Sequence, residues 1–313
     1  MESRIRSFVS AQQVAERAGV SRSAVSRTFT DGASVSDATR RKVLQAADEL
    51  GYHVNHLARS LIQEQSGIVC LIVADVATPY QSRMLDALTR RLQAIDRVAM
   101  VINTSGESGS VEAALGQTMN YRAAATVVLS GAPPAALVTT CLNSGQRVIL
   151  INRDDHFAGP INIAVDNAEA AGTPSLVARE CAFAAAAAGV GLEPRVVRAG
   201  PTSYEAGFEA GRVLLSGSAR PEAAFCVTDL LACGFMDAAR HEFGLEVPAD
   251  LCVVGFDDIE QAGWTSYRLT TFRQPVDAMA DYIMTLLTDP DAGDAAGRRF
   301  HAAPVWRRSV RPR

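Results

Sequence analysis

Several absences narrow what this 313-residue chain can be. No apolar run approaches the ~18 residues a membrane-spanning helix needs, so helical membrane insertion is excluded and no membrane partner is expected. The N-terminal stretch "MESRIRSFVSAQQVAERAG" lacks the apolar core of an export signal. The cysteines, at 70, 141, 181, 226, 233 and 252, form no Cys-x-x-Cys or Cys/His pattern, which argues against zinc and for free thiols in a reducing compartment. A cytoplasmic location without cofactor or metal is expected. No Gly-x-Gly-x-x-Gly follows the first strand-like run, and neither a P-loop nor a Gly-x-Ser-x-Gly is present. His156 and His301 fall in loops without a Ser or Cys that spacing would pair with them. Without these marks the chain is not read as an enzyme.

What is present is an ordinary apolar content with few aromatics (48% and 6%) in a length that suggests two or three domains. Charge is unevenly spread. Residues 1–61 hold nine Lys/Arg against six Asp/Glu, or +3, which leaves −7 of the net −4 for the remainder. A basic head on an acidic body suits a unit that reads DNA while its body is repelled by phosphate.

The head reads as helices. Ser10 with Gln13 makes a capping box, and Val14, Ala15 and Ala18 supply the apolar stripe of a first helix. Gly19 can take the positive φ that ends it. Ser21 caps a second helix, in which Ala24, Val25 and Thr28 face inward. Arg22, Ser23, Ser26 and Arg27 fall within an arc of about 140° on the other side. Ser36 or Asp37 caps a third helix with Val43, Leu44, Ala47 and Leu50 buried. Two short helices joined by a Gly turn match a helix-turn-helix, whose second helix enters the major groove. There arginines grip guanine or phosphate, and serines read base edges or backbone. The plainer alternative is a small bundle whose surface helix happens to carry two arginines. Residues 52–61, "YHVNHLARSL", add a helix of about two turns, too short to be stable alone in water. It would order on binding, with an apolar residue such as Leu61 wedged into the minor groove.

Beyond a polar linker at 62–67, strands and helices alternate: strand-like "GIVCLIVAD", helix 81–95, "VAMVIN", helix 109–121, "ATVVLSG", helix 134–144 and "RVILINR". Such alternation implies parallel, doubly wound sheets. Binding groups then sit at strand C-termini, where Asp75, Tyr80, Asn103, Thr104, Ser130 and Arg153 are candidates.

The stretch from "AQQVAERAGVSRSAVSRTF" to "NHLARSL" resembles the head of LacI/GalR-family transcriptional repressors, including a hinge helix of Asn-x-x-Ala-Arg-Ser-Leu type; "CVTDLLACG" and "VVGFDD" resemble the regulatory region. That resemblance implies a sequence-specific regulator that binds double-stranded operator DNA as a homodimer, or a tetramer, under control of a small-molecule effector such as a sugar. The implied fold is an all-α helix-turn-helix head plus an α/β periplasmic-binding-protein-like body of two doubly wound parallel-sheet lobes. Its implied DNA contacts are Ser21, Arg22, Ser23, Ser26, Arg27, Asn55, Ala58 and Leu61, with Leu61 as the intercalating lever. Its implied effector contacts are Tyr80, Arg153, Arg179, Thr228 and Asp257. Helix 81–95 and the face around 277–287 would form the dimer surface. Val54 stands where the family usually has Pro, Thr228 where Asn is usual, and Ala182 where an Arg-x-x-Gly-Phe motif has its Gly. Asp257 and Asp258 have a plainer reading as helix caps after a strand, and Tyr80 as core. The expected division is a head at 1–61, linker 62–67, first lobe 68–164 plus 265–288, and second lobe 165–264 plus 289–313. Between the strands expected at 161–167 and 195–200 only one helix-like segment fits, where the family has helix, strand and helix. A helix-strand unit is absent after Ala171, so a weakened or rearranged second lobe is expected.

Overall fold

A computed structural model describes residues 8–30, 32–54, 66–104, 110–130, 133–152, 159–166, 175–198, 202–289, 291–292 and 297–312. The chain divides into two compact units, Met1–Ser66 and Gly67–Arg313.

In the first unit, α1 (Ala11–Ala18) starts on the expected capping box, Ser10 with Gln13, and ends on Gly19 at φ 64°. A left-handed residue there costs glycine no Cβ clash, which is how the chain turns so tightly. Helix α2 (Arg22–Thr28) is capped by the Ser21 hydroxyl, which accepts from the Ala24 amide. Helix α3 (Asp37–Leu50) is capped by Ser36. Val14, Ala15, Val25, Val43, Ala46 and Ala47 form the shared core, and Phe29, Leu50 and Tyr52 close its edge. Arg40 donates to the carbonyl of Thr28, and Arg17 to Glu49, tying α3 to both partners. Leu44, expected inside, is 46% exposed. The α3 stripe runs through Val43, Ala46 and Ala47, one helical step away, because small residues let α3 approach α1 and α2 on that side.

The second unit is built on a six-stranded, all-parallel sheet of order β2-β1-β3-β4-β5-β9. Its strands are β1 (Ile68–Ala74), β2 (Val98–Thr104), β3 (Ala125–Val128), β4 (Arg147–Ile151), β5 (Ile161–Asp166) and β9 (Arg298–His301). Strand β1 sits inside the sheet and is apolar on both faces, as a doubly covered strand must be. Leu71 and Val73 point toward α4 (Pro79–Ala94) and α11 (Val276–Thr288). Ile72 points to the opposite layer of α5 (Ser110–Asn120) and α6 (Ala135–Asn143). Arg91 on α4 reaches Asp277 and Asp281 on α11, fixing that helix pair.

The remaining elements are α7 (Ser175–Gly189), α8 (Tyr204–Leu215), β6 (Ala223–Phe225), α9 (Asp229–Phe243), β7 (Cys252–Val254), α10 (Glu260–Gly263), β8 (Thr271–Arg273) and β10 (Ala303–Val305). Their sheet is short. Strands β6 and β7 pair in parallel, single bridges at Val254–Thr270 and Asp257–Arg273 carry the run to β8, and β10 adds antiparallel to β8. The strand expected at 195–200 is not formed over its described part, 195–198. Residues 194–198 make no backbone hydrogen bond among the described residues. Cohesion comes from helices instead: α8 and α9 meet through Gly207, Gly211 and Gly234. A Cβ at Gly234 would lie 1.9 Å from the Tyr204 carbonyl oxygen.

Two boundaries differ from the sequence reading. Residues 269–273, expected with the first lobe, run with the smaller sheet through Leu269, Thr270 and β8. The segment 289–313 does not lie wholly with the smaller sheet: β9 pairs with β5, with Phe300 packed in the core of the large sheet. Ser309 returns to bond Thr270 and Val253 in the smaller one. No described helix is long and apolar enough to cross a membrane.

Candidate functional site

The first candidate surface is the outer side of α2. Ser21, Arg22, Ser23, Ser26 and Arg27 are all exposed, while Val25 and Thr28 on the same helix are buried. The separation follows from helical period: the two buried positions leave the arc between them to solvent. Ser21 and Ser23 share a hydroxyl hydrogen bond of 2.9 Å, and Arg27 donates to the Ser23 carbonyl at 3.3 Å. Arg22 has no hydrogen-bond or ion-pair partner among the described residues. Two cations and three hydroxyls along one side of a capped helix are equipped to meet phosphate and base-edge acceptors. Asn55, Ala58 and Leu61 lie outside the described residues.

The second candidate is a cavity of about 310 Å³ at the C-terminal ends of β1, β3 and β4, the place a doubly wound sheet offers its ligands. Asp75, Tyr80, Ser130, Asn152, Arg179, Thr228 and Asp257 line it. Four of the five residues implied as effector contacts are thus brought together; the fifth, Arg153, lies outside the described residues. Asn103 and Thr104 are not among the lining. Thr104 instead turns its hydroxyl to the Val73 carbonyl. Asn152 was missed by sequence reasoning, although it directly precedes Arg153 at the end of β4. Asp75, Asn152 and Asp257 have φ of 54°, 57° and 121°. Left-handed backbone at non-glycine positions costs energy and collects at binding sites, and here it aims short polar side chains into one space.

Arg179 and Asp257 form the polar floor. Their side chains are 4% and 8% exposed and meet at 3.2 Å. The guanidinium also donates to the Val227 carbonyl at 2.8 Å and lies 3.9 Å over the Phe256 ring. Its Nε is buried without a partner among the described residues. Asp257 accepts from the Gln274 amide at 2.6 Å. Burial raises its carboxyl above the ordinary range against the pull of Arg179 and Gln274. Tyr80 accepts from the Asn152 amide at 3.2 Å, and burial pushes its phenol up to about 12, so it stays neutral. Asn152 Oδ1 and Gln81 Oε1 are buried acceptors without partners among the described residues. Donors on one wall and acceptors on another suit a ligand that carries both.

The plainer readings divide: Tyr80 packs against the core of the large sheet as well as lining the cavity. Asp257 caps no helix, since α10 begins after Ile259. Asp258 is structural: it accepts from Arg273 and Arg307, at 2.6 and 2.5 Å. Thr228 lines the cavity and also caps α9, accepting from the Leu231 amide. Beneath it, Asp229 is fully buried, accepting from Thr271 and the Ile259 amide. Burial raises its carboxyl to about 7 from 3.8. Between those values the folded protein keeps a proton that the unfolded chain has released. This group's contribution to stability is therefore full below about pH 4 and fades as pH rises through 7. Asp229→Asn should flatten that part of the profile. The urea midpoint of the wild type, compared with the variant's, is expected to fall steadily from pH 5 to 7.5; a constant difference would refute the assignment.

Residues 11–55 match the family of bacterial regulatory proteins called the lacI family, and residues 156–310 match a periplasmic binding protein-like domain. The HTH-type transcriptional regulator GalR of Escherichia coli (strain K12) is 28% identical over 293 residues, which span 86% of this chain and 85% of GalR. The HTH-type transcriptional repressor PurR of Erwinia tasmaniensis is 26% identical, with 89% of each chain covered. Among solved structures, a lac repressor dimer bound to operator and the anti-inducer ONPF superposes with a TM-score of 0.83 at 22% identity. It covers 97% of this chain and 99% of its own, a likeness of fold. The chain belongs to the lacI family of bacterial regulatory proteins, DNA-binding regulators of transcription whose head and body are both present here.

Proposed function

We propose that the protein is a cytoplasmic repressor, not an enzyme, that seats two heads on the half-sites of a near-palindromic operator. A two-fold dimer reads a two-fold site. The observation that carries the reading is the exposure of Arg22, Ser23, Ser26 and Arg27 together on a short, serine-capped helix. Asn55, Ala58 and Leu61 complete the grip from the minor groove, by resemblance. Dimerisation through the side of the body that holds α4 is supported by apolar residues left open beside it: Ile95, Val98 and Val101, at 37%, 60% and 43% exposure.

The cavity around Arg179 and Asp257 takes a small effector. Because each of these charges already answers the other, the fitting ligand is an uncharged, hydroxyl-rich metabolite such as a sugar. It works only by binding one arrangement of the body more tightly than the other. Selection of random duplexes with the purified protein is the direct test. A two-fold symmetric consensus is expected, with Leu61→Ala binding it weakly and without bending it. Recovery of no consensus at low salt would overturn the proposal.

A further inference from the structure

A second cavity, of about 370 Å³, lies on the other side of α7 from Arg179. We propose that it is an acceptor slot for an extended apolar peptide. Its walls are α7, the segment 194–198, the α8–α9 pair and the open edge of β6. Strand β6 pairs only with β7 among the described residues. The Glu222 carbonyl and the Cys226 amide both bond toward β7. Backbone groups alternate sides along a strand, so those of Ala223, Phe225 and Val227 face away from β7. The Val227 carbonyl is met by Arg179; the amide and carbonyl of Phe225 meet no partner among the described residues. Residues 194–198 line the same cavity and make no backbone hydrogen bond among the described residues either.

The side chains around this slot are those of a sheet interior left open. Phe183 stacks on Phe225 at 4.9 Å, and Val177, Phe183 and Val196 are 41%, 41% and 50% exposed. Leu214 and Phe235 line the α8–α9 wall. A small apolar molecule would fill the volume and leave two rows of backbone donors and acceptors unmet. A strand meets both, with alternate side chains toward α7 and toward the α8–α9 pair, the mode of peptide capture by strand addition. On the rim, Arg198 bonds Glu180, and the exposed Arg195 donates to the Ala219 carbonyl, so no buried charge in the slot calls for an ionic partner. The favoured occupant is an uncharged segment of about five residues with β-branched side chains. Helix α7 is the shared wall: Leu176 lines both cavities, and Arg179 stands on the same helix. An effect of the peptide on the effector pocket would rest on the pocket reading above; the peptide titration does not.

The test uses the full chain and a fluorescein-labelled, end-capped Thr-Val-Thr-Val-Thr peptide, followed by anisotropy. Saturable binding of one peptide per chain is expected, weakened at least tenfold when alternate peptide amides are N-methylated. Ala184→Trp, which fills the slot from α7, should weaken it as strongly; if that variant does not fold, Ala210→Trp fills it from α8. Val213→Trp, on α8 outside the slot, should bind as the wild type does. The proposal is overturned by absence of saturable binding, by equal binding of the N-methylated peptide, or by slot-filled variants that still bind. It is equally overturned if the slot proves to hold only a small apolar dye, or if Ala184→Trp abolishes self-association while leaving the peptide untouched.

Discussion

Replacing Arg22 by alanine is expected to weaken operator binding by roughly 5- to 150-fold and to relax preference at one base position per half-site, the value of one well-placed arginine-to-base contact, about 1–3 kcal/mol. Arg22 carries the larger share because it is exposed and uncommitted among the described residues, while Arg27 is partly held by the Ser23 carbonyl. The substitution leaves the fold alone: its side chain touches none of the head core. Binding at several salt concentrations separates the two roles the residue could play. A base contact lowers affinity for the selected site far more than for random duplex. A phosphate contact lowers both alike and reduces the salt slope by about one ion. Unchanged preference with a reduced slope would move Arg22 from reading to anchoring.

The second large effect belongs to the pocket floor. Arg179→Met leaves the Asp257 carboxylate buried with only Gln274 for company, and removing one partner of a buried pair costs about 3–5 kcal/mol. Urea denaturation at pH 7 should show that loss. Asp257→Asn added to Arg179→Met should recover most of it, because the amide is neutral and its carbonyl still accepts from Gln274. Asn is also suited to the positive φ at that position. Operator release by any effector should be lost in both variants. If the double variant were as unstable as the single one, the cost would lie in packing over Phe256 and not in the stranded charge.

Much of this was legible beforehand, for physical reasons that differ by site. The α2 surface was readable because helical period and capping are local: Ser21, Gly19 and the apolar positions fix which side faces out. The pocket was readable only where strand ends and family motifs coincided, as at Tyr80, Thr228 and Asp257. Asn152 escaped because its role depends on a left-handed turn that a strand-end rule does not single out. Asn103 was over-read for the converse reason, since a strand end alone does not say that its residues reach the cavity. Leu44 was misassigned because two adjacent positions in a helix both satisfy an apolar stripe, and only the neighbouring helices decide between them. The length of β6 and the unpaired state of 195–198 depend on what lies beside them, which no local pattern carries.

The glycine seam between α8 and α9 has an evolutionary consequence. With so little sheet to bind it, this half of the body depends on two backbones touching at Tyr204–Gly234 and Gly207–Leu231. Those positions tolerate no side chain at all, whereas loop lengths around them are free to drift. Loss or gain of chain segments here is thus buffered, while a single methyl group at the seam is not.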